Sequence, residues 1–405
     1  MPLISAGLLI LWQNGFQLLY GFLNEAVSSE LQLSLSQQTA MGLAYLLPYS
    51  LMQWPAGWLL DRFGAERLLA PAAMLCTAGA ALFASADSAA TLVIARGVTG
   101  CAAAFAFPGL ARLARNQCTP SRFTLVMALA EGSIGFGGAL LGLLLLLQQS
   151  WSWRTVARLE GALVLGLGLW MYGTGYTAWK QMRRLPSTAH NQSPLPKAGT
   201  GSINWPVVLA AIVVYSWEAG LVFAFGGFWN RWLQLQQGFS ASNVQLSGVL
   251  MFTAVGLSTV LMGLFGQRRR LRCLLMLIGT TVGGLALLPL LLRLHTGQAT
   301  PQSLLLLVLG AAAGCGGLAF GEAGLAASSA TTGRVIGLVN AVGCLAGGLF
   351  QVLPNQLLMA QRLFDPLLLS FLPLAIAGWI ASVFMVVWSR SAGPELELFT
   401  ESNRT

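Results

Sequence analysis

The sequence has little charge. Only 9% of its 405 residues are Asp, Glu, Lys or Arg, against about 25% in soluble domains, and 56% are apolar. A soluble globular chain is thereby excluded. Cysteine and histidine are sparse and scattered. Cys76, Cys101, Cys118, Cys273, Cys315 and Cys344 show no Cys-x-x-Cys spacing and fall mostly inside apolar runs, so they read as small packing residues. His190 and His295 lie in different loops, so no metal site is expected, and no cofactor. There is no Gly-x-x-x-x-Gly-Lys loop and no polar stretch beyond about 25 residues to host a nucleotide-binding domain. Paired aspartates, a nucleophile with a histidine and a long ectodomain loop are lacking too, which argues against an intramembrane enzyme or a receptor. The N-terminus has no basic n-region and its apolar run continues past residue 20, so it reads as a first span rather than a cleaved leader.

What is present is a series of long apolar runs. At roughly 20 residues per crossing plus short loops the chain holds about twelve helices, and the runs fall at 3–27, 39–60, 68–86, 89–111, 122–147, 153–178, 205–229, 241–265, 272–293, 302–324, 335–359 and 366–389. The formal charge of +9 would suggest nucleic acid in a soluble domain. Here the basic residues cluster in alternate loops, from Arg62, Arg67, Arg112, Arg115 and Arg122 to Arg268, Arg269, Arg270, Arg272 and Arg334. That bias sets membrane orientation and calls for no nucleic acid. It puts those loops and both termini in the cytoplasm, in an inner or plasma membrane. The polar interval 180–204, rich in Pro and Ser, is expected to link a six-helix bundle at 1–179 to a second at 205–389, with a tail at 390–405.

A repeat supports the division. A shift of 206 residues aligns Gly21-Phe22-x-Asn24 with Gly227-Phe228-x-Asn230, Ser34 with Ser240, Ser36 with Ser242, Gly42 with Gly248 and Gly57 with Gly263. Parallel six-helix repeats are one way a transporter is built.

Between the second and third runs lies Gly57-Trp-Leu-Leu-Asp61-Arg62-Phe-Gly64-Ala-Glu66-Arg67. Its charges force a short wet turn, and Gly57 and Gly64 permit close helix approach and a tight reversal. This stretch resembles the loop between helices two and three of the major facilitator superfamily, with Ala65 and Glu66 standing where that family usually has a basic residue. Leu92-x-x-x-Arg96-Gly97-x-x-Gly100 is similar to the family's helix-four motif, Gly337-x-x-Asn340 with Gly347, Gly348 and Gln351 to helix eleven of many solute transporters, and Trp151-Ser-Trp-Arg154 to a common feature before helix six. Gly132-x-x-Gly135-x-Gly137-Gly138 resembles the drug-antiporter motif of helix five without its Gly-Pro. The resemblance implies an all-α fold of two pseudo-symmetric six-helix bundles. It further implies that the loop acid meets a helix end of the other half, making Gly57, Asp61, Arg62, Gly64, Arg67 and Arg112 a conformational latch. In the second copy Gln267 replaces the acid.

Charges inside the runs cost about 2.5–3.5 kcal/mol even on lenient insertion scales, so each is a functional candidate. Glu218 lies near the midpoint of helix seven beside Tyr215, Ser216 and Trp217, where a carboxyl could load and release a proton. Arg96, Glu25 and Glu131 are further candidates, and the resemblance puts helices one, four, seven and ten around a central cavity. Glu25 and its repeat mate Arg231 would form a closing pair at the opposite end from Asp61. Glu322 is expected near Arg334, and Arg154 or Arg158 at the interface. Gln13, Gln17, Tyr20 and Asn24 form one face of helix one and read as cavity lining or interhelical hydrogen bonding, while Trp217 is a residue that could stack on a ligand. The expectation is a monomeric, proton-coupled secondary transporter of a small organic solute, embedded in the lipid bilayer and working by alternating access. Symport of a metabolite or organic anion and efflux of an amphiphilic compound both stay open.

Overall fold

The structure is a computed structural model that describes residues 2–147, 151–184, 203–226, 240–291, 299–359 and 365–391. Its elements are α1 (Pro2–Glu30), α2 (Leu35–Phe63), α3 (Ala65–Ala84), α4 (Ala89–Ala103), α5 (Ala106–Gln117), α6 (Pro120–Leu147), α7 (Trp153–Arg184), α8 (Trp205–Gly226), α9 (Ala241–Phe265), α10 (Arg269–Leu291), α11 (Ala299–Ala313), α12 (Gly316–Leu325), α13 (Thr332–Met359) and α14 (Asp365–Ser391). Two crossings are interrupted, α4 running on into α5 and α11 into α12, so the twelve expected helices are present. Ten spans among the described residues are long and apolar enough to cross a membrane. Their outer faces match hydrocarbon: Ile94, Leu163, Leu285 and Val387 are all more than half exposed, an arrangement that water would penalise. The helix expected to end at 178 continues to Arg184, because nothing before Pro186 breaks it. The rest of the expected linker, the chain tail, Gly227, Phe228, Asn230, Arg231, His190 and His295 lie outside the described residues.

Helix starts follow local chemistry. Ser34 caps α2 through a reciprocal capping box with Gln37, which starts the helix four residues ahead of the apolar run. Its repeat mate Ser240 caps α9 by accepting from the Asn243 amide. The repeat register is therefore carried by matching caps.

Two compact units emerge, Met1–Gln117 with Leu143–Asn204 and Ala326–Ala341, and Cys118–Gly142 with Trp205–Leu325 and Val342–Thr405. Relative to a cut at the linker, most of α6 is counted with the C-terminal helices and the start of α13 with the N-terminal ones. Glycine explains this. In the first unit a Cβ on Gly57 would lie 2.8 Å from the Arg334 Cα, so α2 and the start of α13 touch backbone to backbone. In the second unit the repeat mate Gly263 packs on Ala128, and Gly135 on the Phe252 carbonyl and Gly256, so α9 and α6 do the same. The glycine-rich stretch of α6 is thus a packing notch.

The correspondence extends to the fourth crossing of each half. A Cβ on Gly100 would sit 2.5 Å from the Tyr45 carbonyl oxygen, and Gly310 packs on the carbonyl of Met251, the residue one repeat after Tyr45. Apolar cores fill what remains: Trp12, Phe16, Phe83 and Trp153 form a ring chain in the first unit, and Trp217, Phe225, Phe350 and Phe371 anchor the second.

Gly100→Val should lower the melting temperature of the purified protein, since overpacking of this kind costs about 1–3 kcal/mol. Gly21→Ala, whose Cβ meets nothing within 4 Å, should leave it unchanged.

Candidate functional site

Asp61 is placed by the last turn of α2 and by Gly64, which leaves the helix at φ +89°. Its side chain is only 3% exposed and accepts two backbone hydrogen bonds, from Gly333 N at 3.0 Å and from Arg334 N at 3.0 Å. Those amides belong to the first turn of α13, whose donors have no partner within the helix. Arg112 Nη1 lies 3.7 Å and Arg334 Nε 3.5 Å from its oxygens. Burial pushes the carboxyl above the usual carboxylate range, and the two amides and two guanidinium groups pull it back. Gly57, Gly64, Asp61 and Arg112 therefore meet as expected of one cluster. Arg62 and Arg67 do not join it. Arg62 lies over the Trp58 and Phe63 rings, 5.4 Å from each centroid, and both side chains face outward.

The second unit carries a buried charge cluster of its own, built on a base. Arg272, in the first turn of α10 and the repeat mate of Glu66 rather than of Asp61, donates from Nε to Glu322 at 2.6 Å and from Nη1 to the Gly266 carbonyl at 3.0 Å, the Gln267 carbonyl at 3.3 Å and Thr124 Oγ1 at 3.3 Å. Arg269 adds a contact to Glu322 at 3.4 Å. Glu322 is thus the partner of Arg272 and Arg269 within the second unit. Arg334 serves Asp61.

Deeper in the second unit, Glu131 of α6 and Glu218 of α8 face one another closely enough to interact electrostatically. Both are buried, at 5% and 1% exposure. The Tyr215 hydroxyl hydrogen-bonds Glu131 and reaches the Cys344 sulfur at 4.0 Å. Neither Glu218 oxygen has a hydrogen-bond partner, and neither acid forms an ion pair among the described residues. The carboxyl has room because the α11–α12 interruption brings Gly316 against it: a Cβ there would lie 2.7 Å from Glu218 Oε2. Trp217, one residue away, points elsewhere. It is wedged against Gly283 and Gly378 in the apolar core, because successive helical residues turn by about 100°. It does not line the acid pair.

In the first unit Arg96 of α4 donates from Nε to the Met41 carbonyl at 2.7 Å, and its guanidinium lies over the Tyr20 and Tyr45 rings, 5.0 and 5.4 Å from their centroids. Gln13 Nε2 reaches Asn14 Oδ1, Gln17 Oε1 and the Tyr49 hydroxyl at 3.1, 3.2 and 3.2 Å, and Asn340 Nδ2 donates to the same hydroxyl at 2.9 Å. The polar stripe of helix one is real, but it divides. Gln13, Gln17 and Tyr20 join this network, whereas Asn24 braces α1 to α2 by donating to Gln38 Oε1 at 3.4 Å and accepting from Ser28 at 3.0 Å.

Glu25 is exposed and belongs to neither buried cluster; the helix-one stripe simply turns away from it. The acid that ties this end of the first unit is Glu30, which accepts from Trp153 Nε1 at 2.6 Å and pairs with Arg154 at 3.0 Å. Arg154 in turn donates to the carbonyls of Ala84 and Ala86 at the end of α3, at 3.1 and 2.7 Å. Sequence reasoning passed over Glu30 because it stood outside the apolar run. Its signal was the Trp-Arg pair opening α7.

Fold and buried charges together define a polytopic membrane transporter. The family model of the Major Facilitator Superfamily matches residues 6–351, and the chain belongs to that family. Among solved structures it is similar to the proton:xylose symporter XylE bound to 6-bromo-6-deoxy-D-glucose, with a TM-score of 0.71, 15% identity and 95% of each chain covered. That likeness concerns the fold. No curated protein matches.

Removing the Asp61 acceptors should destabilise the first unit in steps. Asp61→Asn keeps one acceptor oxygen and Asp61→Ala none, so melting temperature should fall from wild type through Asn to Ala, by about 1–3 kcal/mol for Ala. Arg67→Ala should match wild type.

Proposed function

We propose that the chain is a proton-coupled secondary active transporter that moves a small organic solute by alternating access. In this reading it is a monomer in an inner or plasma membrane with both termini in the cytoplasm, as the basic loops favour. The observation that carries the proposal is the Glu131–Glu218 pair. Two acids that face each other in a membrane interior, with no base paired to either among the described residues, are neutralised most cheaply by protons. An ionised carboxylate left alone there would cost several kcal/mol.

The Tyr215 hydroxyl gives Glu131 a donor that Glu218 lacks, so the two sites are unequal. A proton can then be held on one acid and handed to the other as their surroundings change. The Asp61 and Glu322 clusters supply what a two-state cycle needs besides a coupling group. Each is a set of buried charge-assisted bonds that must be broken and remade as a unit, and each ties helix ends together.

Reconstituted into liposomes under an imposed pH gradient, the wild type should move protons when a transported solute is added. The direction of proton movement relative to the solute distinguishes symport from antiport. Glu218→Gln and Glu131→Gln should each lower coupled flux by about tenfold or more, equivalent to ~1.4 kcal/mol, while solute exchange without a gradient persists. Coupled flux at the wild-type level in both variants would remove this pair from the proposal.

A further inference from the structure

Within the first unit several buried polar atoms end without partners along one strip. Gln13 Oε1, Gln17 Nε2, both amide atoms of Gln53 and Arg96 Nη1 make no hydrogen bond, although Gln13, Gln17, Gln53 and Arg96 are 1%, 8%, 0% and 2% exposed. Leaving a buried donor or acceptor unmade costs about 1–3 kcal/mol each, so a protein tolerates several together where something else completes them.

Hydrogen bonds hold Gln13, Gln17 and Arg96 in place. Gln13 Nε2 is held by Gln17, Asn14 and Tyr49, which leaves a free carbonyl on Gln13 next to a free amide on Gln17. An adjacent acceptor and donor match a group that both donates and accepts, namely a hydroxyl or a carboxamide, and this holds whichever way each amide is turned. Gln53, one turn beyond Tyr49 on α2, repeats the offer. Arg96 differs. Its Nε is spent on Met41 and its cation rests on two tyrosine rings, yet Nη1 is open and no carboxylate among the described residues pairs with it. The strip therefore carries one uncompensated positive charge. An organic cation would be repelled by it, and a neutral solute would leave the guanidinium donor unmade.

We infer that this strip binds a small organic monoanion that carries a hydroxyl or amide group at its far end, with Arg96 on the anionic group and the Gln13–Gln17 amides on the polar end. The proposal rests on the transporter reading above and names its substrate class. Spacing sets the length: Arg96 sits over Tyr20, and Gln17 and Gln13 precede Tyr20 by three and seven residues, about 4.5 and 10.5 Å along the helix axis at 1.5 Å per residue.

Three probes of one skeleton separate the alternatives on the full-length wild-type protein in detergent: 4-hydroxyphenylacetate, its methyl ester and tyramine, which are anionic, neutral and cationic. Thermal stabilisation by mass action reads binding without requiring transport. The anion should bind at least about tenfold more tightly than the ester or the amine, a gap of ~1.4 kcal/mol. Gln17→Ala should weaken the anion while leaving the ligand-free melting temperature near wild type, and Arg96→Gln should abolish the preference for the anion. Equal or tighter binding of the ester or tyramine, or no stabilisation by the anion at millimolar concentration, overturns the inference. Should the anion bind as stated while liposomes show no proton movement with it, the substrate class stands and the proton-coupled reading fails.

Discussion

In hydrocarbon a helix gains nothing by burying leucine against leucine, because lipid tails are as apolar as its neighbours. What holds these helices together is close backbone approach, and the structure depends on glycine to allow it. Gly57 on the start of α13, Gly263 and Gly135 between α9 and α6, and Gly100 and Gly310 on the carbonyls of Tyr45 and Met251 are all such approaches. Gly57 and Gly263 are register mates, and Gly100 and Gly310 meet the carbonyls of the register mates Tyr45 and Met251, so the same packing device recurs in both halves. It also explains why the compact units do not coincide with the halves of the chain: the helices each half lends are the ones that carry or meet these glycines.

Once the helices are fixed, the buried charges sort themselves by whether they are completed. Asp61 and Glu322 are completed. The first takes two helix-end amides and two arginines, the second takes Arg272 and Arg269. Buried ion pairs of this kind contribute little net stability, but removing one partner is costly because the other charge is left buried and uncompensated. Glu131, Glu218 and Arg96 are not completed in the same way, and the proposals above rest on that difference. The two completed clusters are not register mates: Asp61 corresponds to Gln267, and Arg272 to Glu66.

Much of this was legible in the chain because it rests on local chemistry. The wet turn at Asp61, the repeat and the crossing count all follow from residue type and spacing. Asp61 accepts from the helix-end amides of Gly333 and Arg334, a contact that the sequence alone did not assign to those residues. The interruptions at 104–105 and 314–315 were not expected: the first has a signal in Pro108, which offers no N–H to the carbonyl of Ala104 four residues earlier, whereas at the second only Gly314 and Cys315 stand, with no proline or charge. Nor was the role of Arg272 visible, because it was counted among loop charges that set orientation. Its burial depends on Thr124, which is distant in sequence.

The hardest information to read was helix rotation. Sequence reasoning ranked Glu218 first and kept Glu25 and Glu131 as further candidates without saying which way each side chain turns, and Glu218 and Glu131 are enclosed while Glu25 is exposed. Glycine spacing does not separate them. Glu131 lies four residues before Gly135, a packing contact, and Glu25 lies four residues after Gly21, which touches nothing within 4 Å. A helix in water declares its inner face by an apolar stripe; α6 and α8 are apolar all round, so no stripe exists to orient them. The face is chosen by the partner helix, through contacts such as Gly316 on Glu218 and Gly256 on Gly135, and those are properties of two segments far apart in the chain. Where a single segment does carry a polar stripe, as α1 does, rotation becomes legible again, and that is why Gln13, Gln17 and Tyr20 could be placed together from sequence while the two acids could not.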